Sequence, residues 1–286
     1  MNVLHSLICA LLLAVPAAGL AEDLRVSGQR LFLAVQVGGV DVEALLDSGA
    51  EMTLIDTALA ERLGLELTGH ETARGTGGEQ PARFATGVDF AVAGVELQDR
   101  TVAVLDLSDV SRRLIGEPLA MVLGRELFDA GRFRLDVEGG RIERVRDDDP
   151  PAGSVLPLRE HAGIRQIPVI IEGIGTWADF DLGNGSEMML GRGFTERHGW
   201  LTPERHAGRA PGGGLGGEVL RDLVRLTSVR IAGIEVGPVI AAVDATGHAS
   251  DANVGVAHLR RFVMTIDFPG ERIWLTPRDA ADPAAN

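Results

Sequence analysis

The sequence predicts an all-β fold with short helices, built as two similar lobes. Three observations carry this. Gly is abundant, at 37 of 286 residues, whereas aromatic residues are few (9 Phe, 3 Trp and no Tyr), a balance that favours turn-rich β structure over long helices. Apolar runs of strand length recur between Gly turns, with a Gly-rich hairpin signature in each half. The chain also repeats itself, and the repeat sets the lobe boundaries.

Four landmarks recur in the same order. Val35-Gln36-Val37-Gly38-Gly39-Val40 matches Val169-Ile170-Ile171-Glu172-Gly173-Ile174, 134 residues on. Gly75-Thr76-Gly77-Gly78-Glu79 matches Gly214-Leu215-Gly216-Gly217-Glu218, and Ala93-Gly94-Val95-Glu96-Leu97 matches Ala232-Gly233-Ile234-Glu235-Val236, both at an offset of 139. Asp136-Val137-Glu138-Gly139-Gly140-Arg141-Ile142 matches Asp267-Phe268-Pro269-Gly270-Glu271-Arg272-Ile273 at an offset of 131. Two units are too few for a solenoid, so the reading is a duplicated domain.

Within the first half, Leu31 to Val37 reads as a strand ending in a Gly turn, and Val42 to Leu46 returns from it and delivers Asp47. Met52 to Ile55 reads as a further strand. Asp56 is placed to cap a short helix over Thr57 to Leu63, which Gly64 ends; Phe194 to His198 with Gly199 takes that place in the second half. The Gly-x-Gly-Gly-Glu segments are hairpin tips, and the Asp-apolar-x-Gly-x-Arg-Ile segments are tight hairpins near the end of each lobe. Each half is then a small closed β unit.

Between the halves lies Asp147-Asp148-Asp149-Pro150-Pro151-Ala152-Gly153. Three adjacent acids repel and Pro-Pro cannot continue a ladder, so residues 147–153 read as a solvated linker, with a calcium site as the alternative. The lobes are residues 22–146 and 154–278, and residues 279–286 read as a frayed tail. Residues 1–21 read as a signal peptide. Leu7 to Val15 is apolar but too short to span a membrane, and Ala17-Ala18-Gly19-Leu20-Ala21 offers cleavage after Ala21, although the segment starts without Arg or Lys. The expectation is export to the periplasm or the exterior. The lone Cys9 lies in this segment, so the mature chain would carry neither a disulfide nor a Cys nucleophile.

Charge and composition exclude several classes. A net charge of −14 argues against nucleic acid or an anionic membrane as partner. All 27 basic residues are Arg, which removes Schiff-base lysine chemistry and the phosphate-loop lysine, so the Gly212 to Gly217 run is no phosphate loop. The seven His show no metal-ligand spacing, and no Gly-x-Ser-x-Gly elbow is present.

What remains is a pair of Asp-x-Gly turns, Leu45-Leu46-Asp47-Ser48-Gly49-Ala50 and Asp179-Phe180-Asp181-Leu182-Gly183-Asn184. Each follows an apolar strand-like run at the same place in the repeat. Two carboxylates at matched positions predict a pair facing each other across a pseudo-two-fold axis. Carboxylates that close cannot both ionise cheaply, so they share a proton. Gly two positions after each Asp lets backbone pass close by and turns its N–H towards the carboxylate. Ser48 is placed to bond across the interface.

On these residues the chain resembles the retropepsin-like aspartyl proteases, in the bacterial form with two lobes fused in one chain. The shared pattern is an apolar strand, Asp-Thr/Ser-Gly-Ala, an apolar strand, a short helix and a Gly-rich flap. An apolar-apolar-Gly element then closes each lobe, here Met121-Val122-Leu123-Gly124 and Asn253-Val254-Gly255. The resemblance implies two closed β-barrel lobes with the active site between them, peptide hydrolysis at acidic to neutral pH, and neither cofactor nor metal. It implies Asp47 and Asp181 as the catalytic pair, supported by the turn residues Ser48, Gly49, Ala50, Gly183 and Asn184. The flap would comprise Gly75, Gly77, Gly78, Gly214, Gly216 and Gly217, closing over an extended peptide or protein substrate. Fused lobes make a monomer sufficient.

Lobe two departs from the pattern. Leu182 stands where the family has a hydroxyl, Asn184 stands where it has Ala, and two extra residues precede Glu187-Met188-Met189-Leu190. The missing Tyr excludes the flap tyrosine of pepsin-like enzymes. The leading expectation is an aspartic endopeptidase. The alternatives are an envelope peptide-binding protein that keeps the fold without turnover, and Asp turns that are only structural.

Overall fold

The computed structural model describes residues 21–278 except Glu187 and His248; residues 1–20, which hold all but the last residue of the expected signal peptide and include Cys9, and residues 279–286, the expected tail, lie outside the described residues. The fold is mostly β with short helices, as the sequence predicts.

In the first lobe, strands alternate buried and exposed positions with a period of two. Leu33, Val35 and Val37 are buried while Ala34 and Gln36 face water, so one face of Arg30–Val37 joins the core. This strand pairs on one side with Val40–Leu46 and on the other with Gly78–Val92. From Val40–Leu46 the ladder continues through Met121–Leu123, Leu54–Asp56 and Val95–Leu105 back to Gly78–Val92. The sheet therefore closes on itself and leaves no long free edge.

The second lobe follows the same path. Ile164–Ile171 pairs with Ile174–Phe180, then Ala252–Val254, Met189–Leu190, Val239–Val243 and Gly217–Leu226 follow. The ring returns through Val229–Ile231, which pairs with Ile164–Ile171. Here the long strand of lobe one is broken into two pieces around Thr227 and Ser228, whose N–H groups both bond the Glu172 carboxylate instead of a ladder partner.

The helix capped by Asp56 spans Thr57–Arg62, with Ala58 N–H bonded to Asp56 Oδ1 at 2.9 Å. Its counterpart spans Arg192–Arg197 and so begins two residues before the expected Phe194. The expected strand at Met52 starts only at Leu54. Thr53 is taken out of the ladder by Glu126, which accepts from its N–H at 2.7 Å and its hydroxyl at 3.2 Å.

The terminal hairpins do more than the sequence reading gave them. They pair with each other to make a six-stranded sheet across both lobes. Its order is Glu22–Asp23, Arg141–Arg144, Arg132–Asp136, Phe262–Asp267, Arg272–Pro277, Ser154–Pro157. Read from either end, the order visits corresponding segments of the two halves, with Arg132–Asp136 and Phe262–Asp267 as the central antiparallel pair. A buried ion pair, Arg132 to Asp267 at 2.9 Å, lies on that central seam. One continuous apolar cluster runs through both lobes, from Leu33 and Phe128 to Phe180 and Phe268.

Segment 147–153 carries no strand. Arg146 pairs with Asp148 at 2.9 Å, and the Asp147 carbonyl accepts from Arg132 Nη1 at 3.0 Å, so the crossing chain covers the buried guanidinium. Among the described residues no three His, Cys, Asp or Glu side chains cluster as a metal site, and no helix is long and apolar enough to cross a membrane.

Candidate active site

Each Asp is placed by two strands. Val40–Leu46 ends immediately before Asp47, and Met121–Leu123 runs parallel beside it, so Asp47 N–H bonds Leu123 O at 2.9 Å. In lobe two, Ile174–Phe180 ends before Asp181, Ala252–Val254 runs parallel, and Asp181 N–H bonds Val254 O at 3.1 Å. The apolar-apolar-Gly elements are thus the rails that fix both carboxyl groups at the lobe interface.

The two carboxyl groups meet there, close enough for the charge of Asp181 to act directly on Asp47. The glycines of the turns show the same closeness reciprocally. A Cβ on Gly183 would lie 2.2 Å from Asp47 Cγ, and a Cβ on Gly49 would lie 3.1 Å from Asp181 Cγ. Each turn thus packs its glycine against the opposite lobe's acid, and only a residue without Cβ leaves room for that. The Gly49 N–H donates to Asp47 Oδ1 at 2.8 Å, and the Gly183 N–H to Asp181 Oδ1 at 2.9 Å.

Burial holds the Asp47 carboxyl well above the ordinary carboxylate range, and the adjacent Asp181 charge adds to this. The N–H groups of Gly49 and Ala50 oppose the shift without cancelling it. The Asp47 pKa is therefore pushed up to about 8.

Ser48 alone supplies the side-chain hydrogen bonds that join the two Asp-x-Gly turns. Its buried hydroxyl donates to Phe180 O at 2.8 Å and accepts from Leu182 N–H at 2.9 Å. Leu182 has no hydroxyl to return and its fully buried side chain joins the main apolar cluster. The grip is one-sided, as its sequence implies. Ser48→Ala would leave a buried carbonyl and a buried N–H unpaired, so a loss of about 2–3 kcal/mol is expected, read as a lower urea midpoint at unchanged slope.

Asn184 does not act as a small spacer. Its N–H donates to Asp181 Oδ1 at 3.0 Å, and its side-chain Nδ2 donates to Asn253 Oδ1 at 2.7 Å. Asn253 Nδ2 in turn donates to Asp181 Oδ2 at 2.7 Å. The sequence reading had quoted Asn253 only as part of a Gly motif. Its signal was a polar residue at a position where lobe one has the buried apolar Val122.

Asp179, two residues before Asp181, is a buried acid beside the pair. Gln166 Nε2 donates to its Oδ1 at 2.7 Å. Burial raises its pKa, with the Asp181 charge as a lesser contribution in the same direction, while the Gln166 and Ser250 hydrogen bonds work against them. In the sequence Asp179 stands only as the start of the second Asp-x-Gly segment; it lies at the strand end between the buried Ala178 and Phe180.

The two Gly-rich hairpins meet at their tips. Gly77 N–H donates to Leu215 O at 3.0 Å across the lobes. A Cβ on Gly77 would lie 2.0 Å from Gly217 O, and one on Gly216 would lie 2.2 Å from the Gly78 carbonyl carbon, so the backbones touch where side chains would stand. Gly75 and Gly214 flank the contact, facing Leu215 and Thr76 respectively. Two arginines cross-brace it. Arg113 Nη2 donates to Gly214 O at 2.9 Å, and Arg221 Nη2 donates to Thr76 O at 2.8 Å. Neither arginine belongs to a motif singled out in the sequence. A cavity of about 470 Å³ lined by Arg134, Asp136, Arg141 and Glu143 lies at the six-stranded sheet instead and involves none of these groups.

Two β lobes meeting at paired Asp-x-Gly turns define an aspartyl protease architecture. Residues 33–127, within the first lobe, match the family model described as aspartyl protease, in line with the resemblance read from the motifs. The chain is similar in fold to basic 7S globulin from soybean, at 10% identity and a TM-score of 0.54, over 91% of this chain and 96% of that one. No curated protein matches the sequence.

Proposed function

We infer that the protein is a two-lobed aspartic endopeptidase. The observation that carries the reading is the mutual contact of Asp47 and Asp181, with burial and like charge holding one proton on the pair. In that reading a water molecule bound between the carboxyl groups loses a proton to the ionised Asp as its oxygen attacks the peptide carbonyl carbon. The protonated Asp donates to the carbonyl oxygen. The tetrahedral species then collapses. The C–N bond breaks as the first Asp passes the proton taken from water to the leaving nitrogen, and the second Asp recovers its proton from the hydroxyl it had formed on the carbonyl oxygen. No covalent intermediate or metal enters.

The hairpins carrying Gly75, Gly77, Gly78, Gly214, Gly216 and Gly217 act as two flaps. Their tip contact opens to admit an extended peptide and closes over it, adding backbone hydrogen bonds and excluding water. Ser48, Gly49, Ala50, Gly183 and Asn184 keep the acids in register. The chain would work as a monomer in an exported compartment, the latter resting on residues 1–21 alone.

The test is cleavage of a mixed-sequence peptide library by the purified protein between about pH 3 and 7, with Asp181→Asn as the control. Cleavage lost in the variant supports the reading. Cleavage equal in both proteins overturns it. Tight peptide binding without turnover, indifferent to either Asp, would instead assign a binding protein that keeps the fold.

A further inference from the structure

The paired turns are alike in backbone and unlike in what surrounds each acid. In lobe one the parallel rail places Val122 opposite Leu45. In lobe two the same register places Asn253 opposite Asp179, and its amide reaches past to Asp181 Oδ2 at 2.7 Å. Asp181 therefore accepts from three donors, the N–H groups of Gly183 and Asn184 on one oxygen and the Asn253 amide on the other. Asp47 receives only backbone N–H groups, those of Gly49 and Ala50.

The Asn253 amide is itself held. Its Oδ1 accepts from Asn184 Nδ2 at 2.7 Å, which leaves Nδ2 as the atom that faces the acid. The Asn184 Oδ1 is fixed in turn by Ser186, which donates to it from its N–H at 2.9 Å and its hydroxyl at 2.8 Å. Asn253 is buried, so water does not stand in for this donor.

Resting on the dyad reading above, we propose that Asn253, oriented by Asn184, is a positioning residue that keeps Asp181 as the ionised member of the pair and so leaves the shared proton on Asp47. A hydrogen bond from an amide to a carboxylate favours the charged form, and an amide that can only donate from Nδ2 cannot serve a protonated Oδ2 as acceptor. Asp181 is then the group that takes the proton of the attacking water, and Asp47 the group that donates to the substrate carbonyl. The charged or titratable groups around Asp181 do not set this preference. Asp47 and Asp179 are acids, and both disfavour a charge on Asp181. His161 acts on Asp179 only weakly. Arg30 lies with its Cγ beside Gly185, and its Nη1 donates to Gly28 O at 3.4 Å.

The test compares the full chain with Asn253→Val, the residue lobe one uses at this place, and with Asn184→Ala. Carboxyl-carbon NMR of Asp-labelled protein follows the Asp181 ionisation directly, and the kcat/KM profile follows it through the acidic limb. In Asn253→Val both should move up by about one pH unit, the size expected for losing a hydrogen bond to a charged group, with the basic limb unchanged. Activity on the acidic side should fall about tenfold. Asn184→Ala should shift the same limb by less, because Asn253 remains but is no longer oriented. It serves as the second test if Asn253→Val does not fold. Loss of packing alone would lower kcat at every pH and leave both limbs in place. An unmoved Asp181 ionisation in whichever of the two variants folds overturns the proposal. Activity in the full chain that survives Asp47→Asn overturns the dyad reading instead. The NMR measurement needs no substrate, so it decides the role of Asn253 in either case.

Discussion

Asp47→Asn is expected to lower kcat/KM by about 10³- to 10⁴-fold while making the folded protein more stable at neutral pH. The two effects share one cause. Asp47 sits against Asp181 in a buried site and holds its proton well above the ordinary carboxylate range. At a pH below the unfolded-state value near about 3.9, both folded and unfolded forms are protonated and the group contributes nothing. As pH rises past that value the unfolded chain releases its proton and the folded chain does not, so stability falls until the folded value is passed. Asn carries no proton to release. It keeps the Gly49 N–H as a donor to its oxygen and offers its own amide to Asp181, so the turn survives. The variant should therefore match the parent near pH 3 and exceed it by on the order of 2 kcal/mol at pH 7, seen as a thermal midpoint gap that widens with pH. Asp181→Asn should lose activity to the same extent, and the double variant should be no worse than either, because the acids work as a unit. A variant that is inactive yet no more stable at neutral pH would break the link between the shared proton and the site.

Gly183→Ala is expected to cost at least about 100-fold in kcat/KM and about 2–4 kcal/mol in stability. A methyl at this position would sit 2.2 Å from Asp47 Cγ and 2.4 and 2.5 Å from its two oxygens, far inside contact distance. The obstacle is a short carboxyl on the end of a strand pinned to Leu123, not the far end of a flexible chain. Either the acid leaves its partner or the lobes part, and overpacking of this kind typically costs about 1–3 kcal/mol before any lost hydrogen bond is counted. Gly49→Ala supplies the contrast. Its methyl would meet Asp181 at 3.1 Å, which a few tenths of an ångström of adjustment would relieve, so its loss should be several-fold smaller. Equal effects at the two glycines, in urea midpoint and in kcat/KM, would show that the lobes do not meet as described.

Much of this was legible because it is local or repeated. The Asp-x-Gly turns announce themselves as apolar strand, acid and glycine, and their recurrence at a fixed offset implies a symmetric meeting. The Asp56 cap and the hairpin tips follow from residues within a few positions of one another. What stayed hidden depends on partners far away in the chain. Asn253 reaches Asp181 across 72 residues because two strands happen to run parallel, which no local pattern records. The six-stranded sheet needs two hairpins to find each other's edges, and a hairpin motif does not name its neighbour. Arg113 and Arg221 belong to no local motif, and their partners at the hairpin tips are 101 and 145 residues away. Leu182 was legible as a missing hydroxyl, and its consequence, that Ser48 must supply both side-chain hydrogen bonds between the turns, is what the geometry shows.

The most direct test of a proton shared between Asp47 and Asp181 is a carboxyl-carbon NMR titration of the Asp-labelled protein and of Asp181→Asn. The Asp47 carboxyl should titrate well above the range near about 4 that free aspartates occupy, and should move down once its charged neighbour is gone. Two carboxyl groups that each titrate near that ordinary value, with Asp47 indifferent to Asp181→Asn, would contradict it.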